Sequence, residues 1–524
     1  MQLITLANQG YIDYNIDRGE FVITDKVANT LMAFAGLTDY DVIRFYSATT
    51  VGVPNAEIDI NNLNLEIYGL QDAIQLSDSQ NVFIEPDQGR ITMQKNRSFV
   101  FSGLMRIGLF WFYVDEAHFD YMNFTIDAPD IRSLTFDVYS FDPNDLDARG
   151  LRRRRRVQTE LTDLSGKIAI DHPQNKSGRQ NYPRYPIFTC TSDAYAYYDD
   201  KKIHNGTYKR DKFYYKIDPF EIDSLASFST EGFMLNGTLH SADIFPEITH
   251  PLKVRKDYSL GFVYETPGSG LPAYQGRGTY YNTIDLSNQR LYGQGELRYI
   301  TSRGVSENYL FTPDSTIAEL SLYTVAEKGG QVEFPDLKAT DVNMRWLPHR
   351  DRMEVNHKDK YRRLKENPIA MFDNRAALHG NFLLTPEGSS GNGAIVIRDA
   401  EIDSREFAFG KRTIDSEHAD FRLKATYADI EVGIIPRDGY ELMTYDYKAS
   451  IDFDKEVGSF TSNGGASLVN FLINQYIASI DMFEWHMNAE SIKLQNTSAV
   501  GFETFEGLSM EELVDLQMVG SEFI

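Results

Sequence analysis

Apolar and polar residues alternate through 444–454. Tyr445, Tyr447, Ala449, Ile451 and Phe453 fall on one face of an extended chain; Thr444, Asp446, Lys448, Ser450, Asp452 and Asp454 fall on the other. A period of two belongs to a β-strand with one face buried and one wet. The pattern recurs at Phe421, Leu423 and Ala425, which alternate with Arg422, Lys424 and Thr426. Residues 97–129 read as two or three consecutive strands. Within them Leu109, Phe110, Trp111, Phe112 and Tyr113 are apolar on both faces, which predicts burial on both sides or an apolar ligand against one of them. The 31 Tyr and 33 Phe favour the same pleated, half-buried surfaces.

Helical signals are few. Thr24 and Asp25 are N-cap candidates for a helix carrying Val27, Leu31 and Phe34 at helical spacing and closing at Gly36. Ser509 and Glu512 stand in capping-box spacing. Residues 467–485 suit a strand or a short helix, and 1–21 read as strand sequence. The expected fold is all-β: an elongated, repetitive β-jellyroll or β-solenoid-like stack, with roughly half the residues in strands and very few short helices.

An internal echo supports repetition. "FTPDSTIAELSL" (311–322) and "RTIDSEHADFRL" (412–423) share Asp-Ser, then Ala, an acid and an apolar residue, with Asp314 and Asp415 101 positions apart. A weaker echo is "LSDSQNVFIEP" (76–86). The expected division is an N-terminal β repeat region with one short helix at 1–150, a Tyr-rich β region at 151–270 and a repetitive β region at 271–524. Both chain ends read as mid-domain sequence, so a piece of a longer protein is expected.

Net charge is −24, from 76 acidic and 52 basic residues, which repels phosphate backbones; no nucleic-acid partner is expected. Against that field stand Arg152, Arg153, Arg154, Arg155 and Arg156. Their upstream flank is acidic, so the plain reading is a solvated connection balanced by Asp142, Asp145 and Asp147. The functional reading is contact with an anionic surface such as lipid head groups. No run of apolar residues is long enough for a transmembrane helix.

Catalytic signals are weak. Cys190 is the single cysteine, which excludes an internal disulfide or a cysteine cluster. His349, Glu354 and His357 lack the spacing of a zinc-peptidase helix. Glu116, His118 and Asp120, next to Asp115, would share one strand face, where a polar outer surface is the simpler reading than a metal site. The glycines of 386–394 suit a hairpin turn and not a phosphate loop. Six N-x-[ST] triplets occur, at Asn96, Asn123, Asn175, Asn205, Asn236 and Asn496. No cofactor and no enzyme activity are expected.

The stretches "DLSGKIAIDHPQNKSGRQNYPRYPIFTCTSDAYAYYDD" and "DYSLGFVYETPGSGLPAYQGRGTYYNTIDLSNQRLYGQGELRYIT" resemble segments of very large cell-envelope proteins of Bacteroidota. "IVIRDAEIDSREFAFGKRTIDSEHADFRL" is similar in style to the repeats of the OstA-like and AsmA-like β-jellyroll families. That resemblance implies a periplasmic or outer-membrane-associated protein with a signal peptide upstream of this segment. It implies other envelope proteins as partners and an open groove able to shelter acyl chains. The competing expectations are a lipid-conducting bridge or scaffold, a structural or adhesive cell-surface module, and a carbohydrate-active β-helix enzyme.

Overall fold

A computed structural model describes residues 2–39, 41–201, 205–357, 368–425, 439–464, 467–488, 492–497 and 500–504. It is about 53% strand and 6% helix, an all-β protein with antiparallel sheets. The expected helix at 24–36 is present as Asp25–Phe34 and ends at Gly36, whose φ is +72°. The expected Thr24 side-chain cap is absent, because its hydroxyl bonds the carbonyls of Gly10 and Tyr11 instead. No residue of this helix is buried. The segment 1–21, read as strand, begins instead with the helix Gln2–Asn8, also without a buried residue. The ambiguous stretch 467–485 forms the strands Leu468–Phe471, Tyr476–Ser479 and Met482–His486. The Ser509–Glu512 capping box lies outside the described residues.

The chain divides into two units, 1–242 with 247–264 and 285–290, and 243–246 with 265–284 and 291–524. The expected boundary at 150 does not exist. Thr125–Tyr139 pairs with Arg154–Arg156 and with Leu161–Ala169, so a ladder crosses it.

In the first unit a single sheet runs from Ile248–Thr249 through Gly237–Ser241, Phe213–Ile217, Ala194–Tyr197, Leu161–Ala169, Thr125–Tyr139 and Phe110–Asp120 to Phe99–Ile107. Its inner face is aromatic and closed by the chain itself. Phe110 stacks on Phe136 at 5.1 Å and meets Phe228 edge-on at 5.0 Å, and Phe112 meets Phe188 at 5.0 Å. Such pairs add about 0.5–1.5 kcal/mol each beyond their burial.

The second unit winds its strands onto two ladders that part and rejoin. From Ser302–Phe311 one ladder continues through Thr316–Leu320, Val342–Leu347 and Arg352–His357; the other continues through Leu322–Val325, Leu337–Ala339 and Ile369–Met371. Both reach Ala376–Thr385, one at each half of that strand. Four long strands follow in order, Ala376–Thr385, Gly388–Ile397, Ala400–Phe409 and Thr413–Lys424. The hairpin turn expected at 386–394 is confined to Pro386 and Glu387, and the glycines lie in a strand. After Thr413–Lys424 the ladders part again, towards Tyr447–Asp452 on one side and Tyr440–Thr444 on the other.

The internal echo is real in part, but its offset is 98 positions and not 101. Gly293 pairs with Tyr309 and Gly295 with Ser306 around a bulge; Gly391 pairs with Phe407 and Gly393 with Ser404 around the same bulge, 98 positions on. A Cβ at Gly295 would strike the carbonyl of Tyr281, and one at Gly393 that of His379, again 98 positions apart. The hydroxyl of Ser306 accepts the Asn308 N–H at 3.0 Å, as that of Ser404 accepts the Glu406 N–H at 3.0 Å. Pairing Phe311 with Thr316 and Phe409 with Ile414 keeps the 98-residue offset, so Asp415 corresponds to Ile317. Asp314 sits in the turn between strands. The shared Asp-Ser letters are therefore not equivalent positions.

Candidate binding surfaces

The strand Phe110–Asp120 is one-sided, against the expectation from its sequence. Phe110, Phe112 and Val114 face inward and are buried, as is Leu109 in the preceding turn. Tyr113 is 38% exposed on the outer face. Trp111 is half-buried there, because the Arg156 guanidinium lies over its ring at 3.9 Å. Apolar rings on both faces came from an arginine cover on one side, not from burial on both. The inward rings of this strand pack on other side chains and do not line an open gutter.

Arg152 to Arg156 are all exposed, and Arg154–Arg156 form a short edge strand. Of the three acids expected to balance them, Asp145 takes two of the arginines; a third goes to Asp137. Arg153 and Arg155 pair with Asp145 at 3.3 and 2.7 Å, and Arg156 pairs with Asp137 at 2.5 Å. The carboxylates of Asp142 and Asp147 are used by backbone N–H groups of their own turns. Hydrogen bonding from Arg155 holds the Asp145 carboxyl below its usual range. Arg152 donates to the Ser140 carbonyl, and Arg154 lies 6.0 Å from the Tyr139 ring. Exposed pairs of this kind contribute little. Replacing Arg152 to Arg156 with serine is expected to shift stability by no more than about 1 kcal/mol, read from a urea midpoint. A larger loss would mean that the pairs at Asp137 and Asp145 hold the edge in place.

In the second unit an open groove of about 960 Å³ lies over the bulged strands, lined by Asp403, Ser404, Arg405, Glu406, His418 and Asp446 among others. Each bulge turns two successive residues outward, Arg405 with Glu406 and Glu417 with His418, and a bulge bends its strand locally. His418 Nδ1 is 2.6 Å from Asp446 Oδ1, and Asn463 Nδ2 donates to the same oxygen at 3.0 Å. These two contacts, His418 first, hold the Asp446 carboxyl below its usual range. The hydroxyls of Ser404 and Ser416 both donate to the main-chain oxygen of His418, at 2.7 and 3.1 Å. Both hydroxyls are thus engaged with backbone. Nothing in the sequence brought His418 and Asp446 together, since no motif spans them.

Glu116, His118 and Asp120 share the outer face of Phe110–Asp120 as expected, and the remaining sequence candidates are scattered. Glu116 is one of the outward bulge residues, and Asp120 binds the Asn123 amide at 2.6 Å. His349 Nε2 meets the Pro313 carbonyl at 3.1 Å, and Glu354 pairs with Arg352 at 2.7 Å; the His357 side chain is outside the described set. Among the described residues no group of three His, Cys, Asp or Glu is arranged to hold a metal ion. Cys190 is buried, and that burial pushes its thiol pKa up, away from the reactive thiolate. Asn175 is 2% exposed and its amide bonds Asp171 and the Gln180 carbonyl, so that triplet is no glycan acceptor in the folded chain. No described helix is long and apolar enough to cross a membrane. No family model, no curated protein and no solved structure matches this chain.

Sequence reasoning missed the outward tyrosines of the first unit. "AYAY" at 194–197 and "FYYKI" at 213–217 put Tyr195, Tyr197 and Tyr214 on the outer face, opposite a buried Ala or Phe neighbour. The period-two rule contains that signal, since Tyr195, Tyr197 and Tyr214 alternate with buried neighbours.

Proposed function

We propose that the chain is a non-enzymatic β scaffold that works by presenting its outer faces to partners in a cell-envelope assembly. The observation that carries this reading is the filled interior of the second unit. The Tyr323 hydroxyl, on one ladder, reaches Met353 Sδ on the other at 3.7 Å, and its ring lies 6.4 Å from that of Phe382. Ser302 Oγ meets the same sulfur at 3.7 Å. Interiors packed in this way leave no lane for acyl chains. The periplasmic or outer-membrane-associated setting, and other envelope proteins as partners, rest on the resemblance of sequence alone.

The test is lipid content. An open groove holding twelve methylenes would gain on the order of 10 kcal/mol before ordering costs, enough to retain lipid through gentle purification. Native mass spectrometry and organic extraction of the isolated protein are expected to return no stoichiometric lipid. A bound phospholipid in near-equimolar amount would replace the scaffold by a lipid conduit.

A further inference from the structure

We propose that the outer face of the first unit binds an uncharged oligosaccharide along two rows of side chains centred on Tyr195 and Tyr214. The inference uses only this outer face and does not depend on the scaffold reading.

Antiparallel register builds the rows. Tyr113 stands opposite Ser133, Ser133 opposite Thr162, Thr162 opposite Tyr195, Tyr195 opposite Lys216, and Lys216 opposite Thr238. Ser133 is buried in this row. Beside the row runs a second, aromatic one, in which Tyr197 faces Tyr214 and Tyr214 faces His240. Strands lie about 4.8 Å apart, so each row extends in steps close to that spacing. The rings are held by one another. Tyr195 and Tyr197 are 6.1 Å apart and nearly parallel at 10°, Tyr214 and His240 are 4.6 Å apart at 24°, and Tyr195 and Tyr214 meet at 5.9 Å and 67°. All four rings are half-buried, so part of each is open to solvent. Mutual packing fixes their rotamers before any ligand arrives, which lowers the ordering cost of binding.

The electrostatics select the ligand. Lys216 pairs with Asp193 at 2.8 Å, and Arg210 pairs with Asp199 at 2.9 Å while lying 4.3 Å over the Tyr197 ring. His240 Nδ1 is 3.4 Å from Glu247. The cations of this face are thus matched by carboxylates at close range, on a chain whose net charge is −24. A locally balanced face offers no net attraction to a phosphate backbone or an anionic membrane. It carries no large aliphatic side chain in either row, so it does not suit an acyl chain. It does carry ring faces alongside Thr162, Thr238 and the phenol hydroxyls. The Tyr195 and Tyr214 hydroxyls have no hydrogen-bond partner among the described residues. A neutral sugar chain has the complementary chemistry, with C–H faces for the rings and hydroxyls that both donate and accept.

The experiment is calorimetric titration of the full chain with maltohexaose, cellohexaose, mannohexaose and chitohexaose, with hexagalacturonate and phosphatidylglycerol vesicles as charged comparisons. At least one neutral hexasaccharide is expected to bind, with a Kd on the order of 0.1–1 mM as suits an open face. The double variant Tyr195→Ala/Tyr214→Ala should weaken it at least ten-fold, while Tyr139→Ala, on an exposed tyrosine outside both rows, leaves it unchanged. Should the double alanine variant lose its circular dichroism, Tyr195→Phe/Tyr214→Phe keeps the packing and removes only the hydroxyls; a three-fold or greater loss is expected from it. Absence of binding to all four neutral sugars at 5 mM, preference for the uronate or the vesicles, or binding indifferent to the tyrosine variants would each overturn the assignment.

Discussion

Trp346→Ala is expected to destabilise the second unit by about 3–5 kcal/mol, the range for emptying a fully buried indole site. The ring has no exposure at all. It meets Tyr274 edge-on and Tyr299 at a tilt, both at 5.1 Å, and Gly278 leaves room for it: a Cβ there would lie 2.7 Å from the indole tip. Collapse cannot refill the space, because the Tyr274 hydroxyl is tied to the Thr312 carbonyl at 2.8 Å and to Thr316 Oγ1 at 2.8 Å. Trp111→Ala, which removes a half-buried outer ring, is expected to cost about 1 kcal/mol. Urea denaturation followed by far-ultraviolet circular dichroism separates the two. A chain of two units need not unfold in one step, so the Trp346 effect belongs to one transition and should leave any other in place. Equal losses in the two variants would mean that the interior of the second unit is not packed as described.

Alkaline solution should unfold the protein in a steep step. Burial pushes the phenols of Tyr299 and Tyr447 up to about 12, and raises those of Tyr198, Tyr215, Tyr280, Tyr309 and Tyr323 further still. In the unfolded chain the same groups ionise near the ordinary value of 10.0. Folded-state values above unfolded ones mean that this contribution is whole below pH 10 and drains as pH rises towards the folded-state values. Absorbance at 295 nm should therefore show these buried phenols ionising together with loss of the β signal in the circular dichroism, between about pH 11 and 12. A single smooth wave with the β signal intact would show that these tyrosines are reached by solvent.

What could be read in advance followed the reach of the period-two rule. Tyr447, Ala449, Ile451 and Phe453 are buried as their alternation requires. Tyr445, in the same run, is 44% exposed, and Thr444 is fully buried. The reason is a break in the strand: Asp446 takes φ +59°, the chain passes from one ladder to the other while both segments stay antiparallel to Thr413–Lys424, and the alternation restarts. Thr444 satisfies its hydroxyl inside the core by bonding the backbone of Phe421. Periodicity sees strands but not the breaks that reset their phase. The same blindness gave the echo a spacing of 101 instead of 98: the turn between Phe311 and Thr316 matches that between Phe409 and Ile414 in length, but the shared letters fall in the turn of one copy and in the strand of the other. The helix Gln2–Asn8 has no buried side to imprint on its sequence. The outer tyrosine rows were hidden for a further reason: each strand contributes only one or two rings, and the row exists only once register is known.

The bulge that recurs at 98 residues has one more implication. A serine hydroxyl bound to the N–H two residues on, and a glycine that admits a neighbouring carbonyl, together determine where each strand sits against the next. A similar bulge stands in the first unit, where Phe101 pairs with Ala117 and Gly103 with Val114. Slippage by one residue would turn every inward ring to water. Because alignment is settled inside each copy, a copy can be gained or lost without disturbing the phase of the strands beyond it. A chain of this kind can lengthen by duplication, one self-aligning instalment at a time.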